Sequence, residues 1–388
     1  MTSLFASPPV VQQASETGFT VSIEVGQLCT GRVEWGFSPA DLSQTAIASH
    51  GGLVEADARC LMIPVRLHEP IAPGQSVFYR VVAAPLVYHT AYEIERGAPV
   101  ATAVHQLKLP HRDASAVSMA IINDTHGNPE TISALVRCIE TEDPDLLVWN
   151  GDVCHFFSQD NHPATTMLQP GSSDSSSGGW ASSRPLLYVA GNHDARGSHA
   201  RLLRSVLAAG LRPRLPWNTA RRIGPLAILA LDTGEDKPDH HPVFAGTAAF
   251  EPYRVQQARW LAGQLARPDI AKAPFRVVFS HIPLRGRPGE NDGTALEGYA
   301  RYAGHGASLW LPLLHEARCH AIVSGHTHEW RIDDPSEACP LTQVVGGGPL
   351  LGNGTTIMIH AAAARLSIII KDLDGNTLAT RVWESRSS

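Results

Sequence analysis

Five short segments carry the side chains best suited to chemistry: Asp124-Thr125-His126, Gly151-Asp152, Gly191-Asn192-His193-Asp194, Ser280-His281 and Gly325-His326-Thr327-His328. Carboxylate, amide carbonyl and imidazole are donors for manganese, iron or zinc, and two such cations side by side make a hydrolase site. No single loop supplies that many ligands, so the fold must gather them. Each segment follows an apolar run that reads as a buried strand: 117–122, 146–149, 186–190, 275–279 and 321–323. In a parallel sheet such strands end on one edge, where ligands bind.

The segments differ in how much they prove. Asp-x-His occurs three times, at Asp124/His126, Asp160/His162 and Asp239/His241. Only the first follows a strand-like run and precedes a glycine and a helical stretch; the other two lie in polar, proline-containing loops. Gly-Asn-His-Asp and Gly-His-Thr-His are much rarer strings. Taken singly, His281 reads as a hydrogen-bonded core histidine, Asp152 as a helix cap and Asn192 as a turn residue. The last two roles coexist with ligation.

In order, these segments resemble the signature of the calcineurin-like metallophosphoesterases: Asp-x-His, Gly-Asp, Gly-Asn-His-(Asp/Glu), a lone His, then Gly-His-x-His. The resemblance covers about the C-terminal two thirds of the chain. It implies a four-layer α/β/β/α sandwich, with Asp124, His126 and His328 on one metal and Asn192, His281 and His326 on a second. Asp152 would bridge them. His193 would contact the phosphoryl group or protonate the leaving oxygen, with Asp194 orienting its ring. Two cations about 3.5 to 4 Å apart need a shared carboxylate and a shared hydroxide between them, and that hydroxide becomes a nucleophile near neutral pH. Imidazole suits the general-acid role because its pKa lies near neutrality.

The purple acid phosphatase branch has Gly in place of His126 and a Tyr at the position of His155. The departure predicts a colourless enzyme. Gly151-Asp152-Val153-Cys154-His155 is closer to the Gly-Asp-x-x-His of the nuclease branch, which leaves His155 either near the phosphate without ligating or facing solvent. Arg196, two residues beyond Asp194, is a candidate phosphate contact and otherwise a surface arginine.

The remaining sequence bounds the setting. A chain of 388 residues, 43% hydrophobic, is long enough for two or three domains with ample cores. A net charge of −6 without a Lys/Arg-rich run gives no strong nucleic-acid signal, and pairs such as Arg221-Arg222 read as solvated surface. No apolar run reaches the roughly 18 residues of a membrane helix. Six scattered cysteines without Cys-x-x-Cys read as free thiols. Residues 1–10 lack a signal-peptide pattern, which predicts a cytoplasmic location, or a periplasmic one if a leader has been removed. Oligomeric state is not legible.

The first hundred residues alternate in short segments, 19–25, 31–35, 61–67 and 77–82, between Gly, Pro, Ser and Asp clusters. They predict a small all-β sandwich over 1–112, with the catalytic domain over 113–388. Residues 31–36 and 72–81 resemble the fibronectin-III-like domain that precedes the catalytic domain in purple acid phosphatase relatives. Such a domain is either a wall over the cleft or a passive folding unit. Helical stretches are predicted at 129–141, 199–209, 253–266 and 307–317, and strands from 342 to 382 with a turn at Asp374-Gly375-Asn376. Gly346-Gly347-Gly348-Pro349 is either a plain turn or backbone brought close to the site. Two loops, 160–185 and 232–250, should shape substrate choice, with 285–307 in reserve; the Ser/Gly content of the first predicts mobility.

The reading is therefore a phosphoesterase with two divalent or trivalent ions (Fe, Mn or Zn) acting on a small phosphomonoester or phosphodiester. A catalytically silent binding module on the same fold, or a hydrolase of phosphonate or pyrophosphate bonds, are the alternatives.

Overall fold

The apolar runs that end at the candidate ligands lie side by side in two sheets. The computed structural model describes residues 3–170, 179–209, 214–286, 303–337 and 339–385. Among them, nine strands form one sheet, ordered Thr377–Glu384, Arg365–Lys371, Thr356–Ala362, Ala116–Ile122, Leu146–Asn150, Leu186–Val189, Val10–Ser15, Gly18–Glu24, Cys60–Arg66. Six more form a second, ordered Thr219–Ile223, Leu226–Leu231, Phe275–Ser280, Ala321–Ser324, Thr342–Val345, Arg331–Asp333.

Side-chain alternation builds the layers. Successive strand residues face opposite ways, so Val117, Met119 and Ile121 meet Ile228, Val277, Phe279 and Val323 in the core between the sheets. Ala120 and Ile122 face outward onto Leu135 and Ile139 of the helix Pro129–Glu142. Leu229, Leu231 and Ile322, on the far side of the second sheet, pack against Trp260 and Leu261 of the helix Phe250–Leu265 and Trp310 and Leu314 of Gly304–Glu316. The result is the expected helix/sheet/sheet/helix sandwich.

The N-terminal region is all β. Val21, Ile23, Leu61 and Ile63 pack against Val33, Trp35, Val77, Tyr79 and Leu107 from a seven-stranded sheet centred on Ser76–Thr90. The division expected at residue 112 is crossed by hydrogen bonds. Val10–Ser15 runs parallel to Leu186–Val189, with Gln12 opposite Leu186, so one face of the β-sandwich continues the catalytic sheet. Val11 N donates to Ala181 O (2.9 Å), Tyr79 Oη to Ser182 O (2.7 Å) and Ser22 Oγ to Val206 O (2.7 Å). Arg221 is not solvated surface: its guanidinium donates to Ala14 O and to Gln13 Oε1.

Other differences are local. The stretch expected to be helical at 199–209 forms a short 3-10 helix, Ala200–Ser205. The two other Asp-x-His pairs are caps: Asp239 accepts from Phe250 N (2.7 Å) and Glu251 N (3.0 Å), while His162 Nδ1 and His241 Nδ1 accept from Ala164 N and Val243 N. All six cysteines are free thiols. No helix among the described residues is long and apolar enough to cross a membrane.

Candidate metal centre

All five segments lie at the C-terminal ends of strands, three in the nine-stranded sheet and two in the six-stranded one, where the two sheets meet. The chain turns sharply there. Of the nine non-glycine residues with positive φ among those described, five are Asp124, His126, Asp152, His326 and His328, with φ between 46° and 70°. Each such residue costs of order 1 to 3 kcal/mol, and strain of this kind concentrates at functional sites. Gly151 (φ 82°) and Gly191 permit the close approach: a Cβ on the first would fall 2.4 Å from His281 Nδ1, and on the second 2.3 Å from Asp152 Oδ1.

The donors fall into two groups. Asp124 Oδ1, His126 Nε2 and His328 Nε2 form a triangle with edges of 3.0, 3.3 and 3.9 Å. Ligands about 2.0 to 2.2 Å from one cation stand roughly 3.0 to 3.5 Å apart, so two edges already match. Asp152, His281 and His326 form the second group; Asp152 Oδ2 lies 3.2 Å from His281 Nε2, and His326 Nδ1 lies 3.0 Å from Asn192 Oδ1. The same Oδ2 is 3.7 Å from His126 Nε2 in the first group. Asp152 thus reaches both.

Asp124 Oδ1, His126 Nδ1, Asn192 Nδ2 and His281 Nε2 are buried without a hydrogen-bond partner. Of these, Asp124 Oδ1 and His281 Nε2 belong to the first and second donor groups respectively, and an orphaned donor atom in each group calls for a ligand. Burial opposes charge on the imidazoles and pushes His126 and His326 down to about 4, His281 adding to the effect on His326. Both are therefore in the neutral form that binds metal. On His281 burial is outweighed by Asp152 and Asp124, which raise it to about 10. Its proton offsets the two carboxylates, as a cation between them would. The donor set, all oxygen and nitrogen, fits Mn, Fe or Zn.

The partners of His193 and Asp194 differ from the expectation. Asp194 does not touch the His193 ring. Its Oδ2 accepts from Asp152 N (3.1 Å), Gly191 N (2.9 Å) and Tyr188 Oη (2.9 Å), and its Oδ1 from Val153 N (3.0 Å). It ties the Gly-Asp turn to the Gly-Asn-His-Asp turn. The His193 ring is held by His155 O, which accepts from Nδ1 at 2.8 Å, and by Arg196 Nη1, 2.9 Å from Nε2. Burial and Arg196 keep His193 below the usual imidazole range, against the pull of Asp152. Arg196 in turn is clamped by Glu235 through Nε (2.6 Å) and Nη2 (2.9 Å) and by Asp236 (2.9 Å). Its charge is thus already paired within the protein while its guanidinium braces the His193 ring. His155 is exposed, its ring 4.6 Å from that of His126, outside both aspartate-containing groups.

The calcineurin-like phosphoesterase family matches residues 117–330, more than half of the chain and every candidate ligand. This chain belongs to the calcineurin-like phosphoesterases. As a member it is a phosphoric ester hydrolase, of a family that requires divalent metal. No curated protein matches the chain. Among solved structures it is similar to purple acid phosphatase PPD1 from yellow lupin (Lupinus luteus) seeds, with a TM-score of 0.67, 13% identity and coverage of 96% of this chain and 73% of that one. It is also similar to PhoD, with a TM-score of 0.64, 11% identity and coverage of 99% and 91%. At such identities the likeness is one of fold.

In this phosphoesterase a cavity of about 1000 Å³ opens beside the metal centre, with His193, His155 and Gly191 on its near wall. The loop 232–250 lines it, as anticipated. The described parts of 160–185 do not; Ala164, Met167, Leu168 and Trp180 lie in the core instead. The mobility expected for that loop falls on 171–178, and most of the reserve loop on 287–302, both outside the described residues. No described residue before 111 lines the cavity, so the β-sandwich is not its wall.

Sequence reasoning missed several supports. Asn123 donates to Asp124 Oδ2 (2.6 Å) and Gly347 O (2.8 Å), which draws the Gly346-Gly347-Gly348 backbone against the site. Asn150 O accepts from His281 Nδ1 (2.7 Å). Both asparagines end apolar strands, a signal open to reading. The strand Leu226–Leu231 carries no signature residue at its end, yet it leads to Glu235 and Asp236, which hold Arg196.

Proposed function

We propose that the chain is a dinuclear metallophosphoesterase that hydrolyses phosphomonoesters or small phosphodiesters. The observation that carries this reading is the reach of Asp152 Oδ2 toward both donor groups, 3.2 Å to His281 Nε2 and 3.7 Å to His126 Nε2. Asp124, His126 and His328 would hold one ion; Asn192, His281 and His326 the other; Asp152 would serve both. Bound there, the ions supply Lewis-acid stabilisation of the phosphoryl oxygens and an acidified water as nucleophile.

The chain's own groups do the rest. Asp194 fixes the backbone of Asp152 and Gly191, and so the spacing between donor groups. Because a carbonyl only accepts, His155 O requires the hydrogen of His193 on Nδ1, and Nε2 accepts from Arg196 Nη1 at 2.9 Å, the contact that a leaving oxygen at Nε2 would replace. His193 lies between the donors, 4.7 Å ring to ring from His126, and the cavity. That position suits contact with the leaving oxygen. Hydrolysis adds a water oxygen to phosphorus, breaks the P–O ester bond and ends with a proton on that leaving oxygen. The likeness of the N-terminal sandwich to a fibronectin-III-like domain is part of the same proposal, supported by its two packed sheets.

Elemental analysis of protein purified without added metal, followed by a panel of mono- and diesters, tests the reading. Two metals per chain and ester hydrolysis are the expected result. Fewer than one metal and no hydrolysis after reconstitution with Mn, Fe or Zn would overturn it.

A further inference from the structure

The cavity beside His193 is larger than a phosphoryl group needs. Its volume of about 1000 Å³ stands at the top of the roughly 300 to 1,000 Å³ range of pockets that bury drug-sized organic ligands. Its apolar walls are aromatic. Tyr188 and Trp217 pack edge to face at 5.2 Å, and Phe244 and Phe250 stand 6.2 Å apart on the loop side. Such rings favour a planar apolar guest.

The charges of the wall are unevenly spent. Arg196 and Lys237 are neutralised by Glu235 and Asp236. Asp194 is engaged as described, and Asp232 accepts from Gly234 N and Tyr253 Oη. Arg201 and Arg204 remain, with no ion pair or side-chain hydrogen bond among the described residues. They stand three apart in the 3-10 helix Ala200–Ser205, where residues i and i+3 eclipse one another. Two unpaired guanidiniums therefore share one edge of an aromatic-walled cavity.

We propose that this cavity receives the leaving group, and that it selects phosphate esters whose leaving group joins an aromatic ring to a second anionic group, read by Arg201 and Arg204. The inference rests on the phosphoesterase reading above, which puts the leaving oxygen at His193. The phosphoryl group lies over the metal donors, the ring enters between the Tyr188/Trp217 and Phe244/Phe250 walls, and the anion meets the arginine edge.

The test uses the full chain loaded with metal and three probes: glycerol 2-phosphate, phenyl phosphate and 4-carboxyphenyl phosphate. Comparing substrate ratios between wild type and variant cancels the intrinsic reactivity of each ester. Phe244→Ala should lower kcat/KM for phenyl phosphate relative to glycerol 2-phosphate about threefold to tenfold. The double variant Arg201→Ala/Arg204→Ala should lower kcat/KM for the carboxyphenyl ester relative to the phenyl ester about fivefold to tenfold, mainly through KM. Calorimetric binding of the product 4-hydroxybenzoate should weaken in the same double variant. Hydrolysis with both ratios unchanged would overturn the pocket assignment and leave the phosphoesterase reading standing. No hydrolysis of any of the three esters by the wild type would overturn both.

Discussion

Replacing Asp194 by Ala separates two accounts of the same motif position. The carboxylate accepts four hydrogen bonds at 2.9 to 3.1 Å, three from backbone N–H groups of Asp152, Val153 and Gly191 and one from the Tyr188 hydroxyl. Burial, then Asp152, raise its pKa to about 7, so the pocket bears a costly acid for the sake of those donors. Alanine would leave them without their acceptor. At a lower bound of about 1 kcal/mol for each buried unsatisfied donor, the loss is about 4 kcal/mol, a large part of a typical total stability. An unfolding entropy of about 2.1 cal/mol/K per residue gives about 0.8 kcal/mol/K for 388 residues. The expected fall in Tm is therefore about 5 °C, accompanied by loss of metal because Asp152 N is no longer held. Differential scanning calorimetry and metal analysis of the variant read both quantities. A Tm within 1 °C of wild type, with full metal content and only kcat reduced, would refute this reasoning and restore Asp194 as a partner of the His193 ring.

Removing residues 1–110 should give no soluble folded remainder, because it bares the edge of Leu186–Val189 and unpairs Arg221; circular dichroism and limited proteolysis read this, and a folded, metal-loaded fragment would count against it. Asp152→Asn should reduce bound metal to one equivalent or less and kcat at least about a hundredfold, beyond the loss typical of an outer partner; two retained equivalents would sink the bridging role. Asp232 is raised by burial from its ordinary 3.8 to about 6, so it binds its proton more tightly folded than unfolded. The stability from its protonated form is complete below about pH 4 and lost as pH rises through 6, an amount of roughly 3 kcal/mol. Asp232→Asn should flatten this part of the Tm profile between pH 4 and 7, and an identical slope in variant and wild type would show the group titrates elsewhere.

Much of the site can be read from the chain because ligand chemistry restricts residue type. Asp124, His126, Asp152, Asn192, His281, His326 and His328 are each the right donor directly after an apolar run, and that placement alone brings them to one edge. The decoy pairs at Asp160 and Asp239 fail the same criterion, and they cap helices. Roles within the set were less legible. Arg196, and not Asp194, braces the His193 ring, while Asp194 ties two turns, because hydrogen bonds to backbone N–H groups some forty residues away, and to a carboxylate pair at Glu235 and Asp236, leave no mark on local sequence.

By itself, then, the sequence determined the candidate donors, their order, the alternating faces that stack two sheets between helices, and the free state of six thiols. Tertiary structure alone decided three things. It made the N-terminal strands an extension of the catalytic sheet, since strand pairing is written in backbone hydrogen bonds that any side chains allow. It assigned the ring-holding and turn-holding residues, since those depend on which donors meet at a few ångströms. And it shaped the cavity, whose aromatic walls and arginine edge come from segments at 188, 201–204, 217 and 244–250 that share no pattern until the chain has folded.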